Sequence, residues 1–111
     1  MIPLNKIRFE VIPHWEDTPV RGNAIDSGDD AQDKACEDSI LKRLDNGDIW
    51  GWCCVEVKGT IAGLSTSNYL GGCSYANESD FRKGGYFKDM CTTVQADLTA
   101  RWEELKRELG N

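Results

Sequence analysis

Between Ile49 and Ile61 the chain alternates so that both faces of one extended segment are apolar. Trp50, Trp52 and Cys54 fall on one face, and Ile49, Cys53, Val55, Val57 and Ile61 on the other. A strand of this kind must be covered on both sides, so the segment is expected at the centre of a sheet with other structure packed over it. Glu56 and Lys58 turn the tryptophan face polar toward its end, which limits the double covering to the first half.

The rest of the chain supplies neighbours for this strand. Ile7, Phe9 and Val11 alternate with Arg8, Glu10 and Ile12, the period of a half-buried strand, and Pro13, which lacks an N–H, is expected to end it. His14–Ser27 mixes charges with Pro19, Gly22 and Asn23 and predicts an extended loop, either functional or held down by Trp15 and Val20. Asp26 or Ser27 caps a helix whose buried stripe is Cys36, Ile40, Leu41 and Leu44, closed by Asn46-Gly47. After the central strand, Gly59–Asn68 holds the turn formers Gly63, Ser65, Ser67 and Asn68. Tyr69–Tyr75 then returns as a strand whose Gly71-Gly72 marks a bulge or a close approach.

Asn77 or Ser79 opens a second helical region, interrupted at Gly84-Gly85. Beyond it Met90, Val94, Leu98, Trp102, Leu105 and Leu109 recur at spacings of three and four, which predicts a long amphipathic helix with Trp102 in the core and Gly110 as its terminal glycine. The order β-α-β-β-α predicts an α+β fold: a small three-stranded, mainly antiparallel sheet packed with two helices. At 111 residues the chain has material for one modest core, so one domain over residues 1–111 is expected.

No apolar run approaches the roughly 20 residues that span a bilayer, and Met1–Arg8 has no secretory h-region, so a location inside the cell, without membrane contact, is expected. Five cysteines, an odd number in a chain of this expected location, predict free thiols. Adjacent Cys53 and Cys54 point to opposite faces of a strand and the only histidine is His14, so a zinc site lacks its paired ligands. Counting an EF-hand loop from Asp26 puts Gly28 where a ligand side chain belongs and Ala31 where the sharp turn needs glycine. There is no P-loop, dinucleotide fingerprint or zinc-protease motif, and no local pattern joins His14 to a thiol, so neither catalytic residues nor a cofactor are expected.

Charge is the most informative remaining feature. Thirteen basic residues face nineteen acidic ones, and a net charge of −6 repels phosphate backbones, so direct nucleic-acid binding is not expected. Asp26, Asp29, Asp30, Asp33, Glu37 and Asp38 stand within thirteen residues against Lys34 alone, which concentrates five of those six charges. Asp29, Asp30 and Asp33 suit the positive end of a helix dipole by themselves; Glu37 and Asp38 need another reason. The functional reading is an electronegative face that docks on a basic surface of a partner protein. The alternative is a structural or assembly module that self-associates, as a homodimer, through the Trp-bearing strand or the C-terminal helix. A third is thiol or metal chemistry at Cys53, Cys54 or Cys73.

At D-T-P-V-R-G-N-A (Asp17–Ala24), D-D-A-Q-D-K (Asp29–Lys34), L-D-N-G-D-I-W-G-W (Leu44–Trp52) and Y-L-G-G-C-S-Y (Tyr69–Tyr75) the chain resembles a family of short proteins met in bacteriophages, prophages and plasmids. The resemblance covers nearly the whole chain and carries over no catalytic residue. It implies a protein of mobile elements, and its size and acidity are similar to those of anti-CRISPR and anti-restriction inhibitors. The combined expectation is a non-enzymatic phage-type binding protein in the host cytoplasm. It would occlude the basic, nucleic-acid-binding surface of a host defence complex through the six acids named above.

Overall fold

The computed structural model describes residues Met1–Gly110. Three strands, β1 (Arg8–Trp15), β2 (Cys53–Ile61) and β3 (Leu64–Cys73), form one antiparallel sheet in the order β1-β2-β3, and three helices, α1 (Asp30–Asp45), α2 (Glu78–Lys83) and α3 (Gly85–Leu109), complete an α+β fold. The segment expected at the centre of the sheet is there: Cys53, Val55 and Val57 are fully buried and alternate with half-buried Cys54, Glu56 and Lys58.

Local chemistry moves several boundaries. Trp50 stands outside the strand, because Asp48 accepts from the Trp50 N–H at 3.2 Å and starts a 3-10 turn at Ile49–Gly51. Pro13 does not end β1; an edge strand tolerates a residue with no N–H to donate. The turn expected across Gly59–Asn68 shrinks to two residues, Ala62 (φ +50°) and Gly63 (φ +79°), whose paired positive φ values give the handedness of a type I′ hairpin. Ser65, Ser67 and Asn68 therefore lie in β3, an edge strand that accommodates small polar residues. Asn77 caps α2 by accepting from the Asp80 N–H at 3.0 Å.

Contacts group the chain into two compact units, to both of which each strand contributes residues. One comprises Met1–Ile12, Glu56–Tyr69 and the chain from Arg82; the other comprises Pro13–Val55 and Leu70–Phe81. In the first, Val94 and Leu98 of α3 bury against Ile7, with Ile2, Phe9, Ile61 and Leu64 around them. Gly59 is needed there, since a Cβ would sit 2.5 Å from Val94 Cγ1. In the second, the α1 stripe of Cys36, Ile40, Leu41 and Leu44 closes over Val20 and Trp52. Trp52 is core, its indole N–H donating to the Thr18 carbonyl at 2.7 Å, whereas Trp15 is exposed and leaves the anchoring of the loop to Val20. Among the described residues no helix is long and apolar enough to cross a membrane.

Candidate acidic binding face

The acids singled out in the sequence all belong to the second unit and are built outward from one cap. Asp29, with extended backbone, accepts from the Gln32 N–H at 3.1 Å and so caps α1 in place of Asp26 or Ser27. Gly28, at φ +85°, redirects the chain just before it. Asp33 turns back from the first helical turn and accepts from the Ser27 N–H at 3.2 Å and its hydroxyl at 2.5 Å. Two carboxylates thus secure the approach to the helix. Asp26, Asp29 and Asp30 are exposed, and among the described residues no cation lies within ion-pair distance of them.

Glu37 and Asp38 have a different occupation. Glu37 is buried and accepts from the Gly22 N–H at 2.7 Å and from Arg21 Nη1 at 3.2 Å; Arg21 Nη2 donates to Asp38. Asp38 first, then Glu37, raise the Arg21 pKa. The reason for these two acids, which a helix dipole does not supply, is a clasp that holds the Val20–Asn23 turn onto α1. Glu37 therefore leaves the solvent-facing set, and Asp38 shares its charge with Arg21. The face offered to solvent rests on Asp26, Asp29 and Asp30, flanked by half-buried Asp33. Arg21, the cation of the D-T-P-V-R-G-N-A stretch, is the site residue that helical periodicity alone does not reveal.

Other chemical groups of this unit are absorbed by structure. Glu16 accepts from the Gly72 N–H at 2.5 Å and from the Thr18 N–H at 3.2 Å, and these two bonds, the Gly72 bond foremost, lower its pKa. A Cβ on Gly71 would lie 2.9 Å from Glu16 Oε1, so the close approach expected at Gly71-Gly72 is made by this carboxylate. Trp50 packs with Tyr75 and Phe81 at ring separations of 6.5 and 6.1 Å. Arg43 joins α1 to the chain after β3, donating to Asp48 Oδ2 at 2.8 Å and to the Tyr75 carbonyl at 2.6 Å.

No disulfide joins the five cysteines. Burial pushes the Cys53 thiol up to about 12 and the Cys73 thiol up to about 11, opposite to the activation a nucleophile needs. Among the described residues no group of three or more His, Cys, Asp or Glu gathers as a metal site. Compared with known protein families, curated proteins and solved structures, the chain matches none.

Proposed function

We propose that this chain is a non-enzymatic binding protein that covers a cationic, nucleic-acid-binding surface of a partner protein with the acidic approach to α1. The observation that carries the reading is the exposure of Asp26, Asp29 and Asp30 within five consecutive residues, on a loop secured by the Asp29 cap and the Ser27–Asp33 bonds. Fixed charges of one sign lose little conformational freedom on docking, and they complement a surface built to hold phosphates. The resemblance to short phage and plasmid proteins points to a host defence complex as the partner, met in the host cytoplasm, with inhibition in the manner of an anti-CRISPR protein.

The test is competition for duplex DNA. Purified RNA-guided and restriction complexes are incubated with the protein, and DNA binding is read by electrophoretic mobility. Loss of the shifted band with the wild type, and its return with a D26N/D29N/D30N variant, is the expected result. Asparagine retains the capping oxygen, so the variant removes charge without removing the helix cap. Inhibition that survives the triple substitution would overturn the assignment of the face.

A further inference from the structure

The first unit contains a cavity that the acidic-face reading does not use. It has a volume of about 260 Å³ and is lined by Ile2, Pro3, Ile61, Ala62, Leu64 and Trp102, with Lys6 as its single cation. Trp102, expected in the core, is 38% exposed here, because the buried stripe of α3 stops at Leu98 and only this thin wall faces the next turn.

Each wall is tied to α3. Gln95 Nε2 donates to the Ile2 carbonyl at 2.7 Å, the Ile2 N–H donates to Thr99 Oγ1 at 3.1 Å, and Arg101 donates to the Ser65 carbonyl at 2.9 Å. Ala62 contributes an apolar side chain from a left-handed backbone position that a Cβ makes costly. The cavity is therefore preformed, and it is larger than the engineered apolar cavity of about 150 Å³ that admits benzene.

We propose that this cavity binds a small carboxylate with an aromatic or branched aliphatic body. The body lies against the Trp102 indole and the aliphatic wall, where displacement of water favours an apolar group. Lys6 is exposed, and none of the ion pairs among the described residues involves it. The Lys6 stem borders the apolar wall, and its solvent-exposed ammonium is the group that would meet an anionic head at the rim. The cavity is a half-open cleft, and its volume of about 260 Å³ matches a single ring-sized molecule better than a long apolar segment of a second chain.

Phenylacetate and its neutral counterpart phenylacetamide are the probes, titrated into the full chain and followed by ¹H–¹⁵N NMR. Phenylacetate is expected to give saturable shifts at Ile2, Ile61, Ala62, Leu64 and the Trp102 indole, with phenylacetamide about tenfold weaker for want of the charge-assisted contact. Lys6→Gln brings phenylacetate to the level of the amide, and Lys6→Arg keeps the preference. Lys6 is exposed, so both variants are expected to fold, and unchanged spectra away from the cavity check it. Absence of saturable shifts up to roughly 20 mM, a regime that already covers millimolar affinity, overturns the proposal. So does equal binding of acid and amide, or shifts that follow protein concentration alone and mark a second copy as the occupant.

Discussion

Arg21 reaches Glu37 across fifteen intervening residues, Nη1 to Oε1 at 3.2 Å, and this pair converts an acidic helix face into an anchor for the loop that precedes it. The Glu37 carboxylate has one oxygen on Arg21 and the other on the Gly22 N–H, and its side chain is only 11% exposed. Removing it takes the acceptor from the Gly22 N–H and leaves the half-exposed Arg21 held by Asp38. Glu37→Ala is expected to cost about 1–2 kcal/mol in urea unfolding, and Glu37→Gln, which keeps an acceptor for Gly22, distinctly less. Equal losses would show that charge alone matters here.

Ala62 offers a stabilising change. A left-handed φ of +50° penalises any Cβ except where a short polar side chain bonds locally, and the first position of a type I′ turn prefers asparagine or glycine. Ala62→Asn is expected to raise stability by about 0.5–1 kcal/mol, read as a higher melting temperature. Gly59→Ala is its opposite: the new methyl meets Val94, Ile7 and Leu98 at 2.5, 3.0 and 3.3 Å, and overpacking of this kind costs about 1–3 kcal/mol.

These two glycine-related positions show what the sequence could convey. The alternation at Cys53, Val55 and Val57 and the four-residue spacing of Cys36, Ile40 and Leu44 report burial directly, so strand and helix were legible there. Ala62-Gly63 carries no strong turn signature, so polar Ser65, Ser67 and Asn68 drew the turn too long. At the site, the acids were legible as a cluster, but their division of labour was not. Whether Asp33 or Glu37 faces solvent depends on Ser27, Gly22 and Arg21, and bonds between a loop and a helix leave no period in a sequence.

Glu16 predicts the acid limb of the stability profile. Its folded-state pKa lies below the ordinary 4.5, because the Gly72 and Thr18 N–H groups favour the ionised form. Its contribution is therefore fully present above that ordinary value and is lost as pH falls through the lower folded value. Glu16→Gln removes the contribution, so wild type and variant are expected to differ in urea midpoint near neutrality and to converge once the pH falls below the lowered folded-state value. A constant difference across that range contradicts the clasp on Gly72.

Thiol accessibility divides the cysteines. Cys53, Cys73 and Cys91 are buried, with pKa values raised chiefly by desolvation, whereas Cys36 and Cys54 are half-buried. Iodoacetamide at mildly alkaline pH is expected to label Cys36 and Cys54 first and the other three only on unfolding, as read by peptide mass spectrometry. Early labelling of Cys53 or Cys73 in the folded protein would favour thiol chemistry at β2 or β3.

The central claim concerns charge on Asp26, Asp29 and Asp30. Its most direct measurement is the affinity for an inhibited defence complex as a function of salt, for the wild type and for D26N/D29N/D30N. Wild-type affinity is predicted to fall steeply as salt rises, and the variant to bind at least about tenfold more weakly with a flatter salt dependence. Equal affinities and equal slopes would contradict the account.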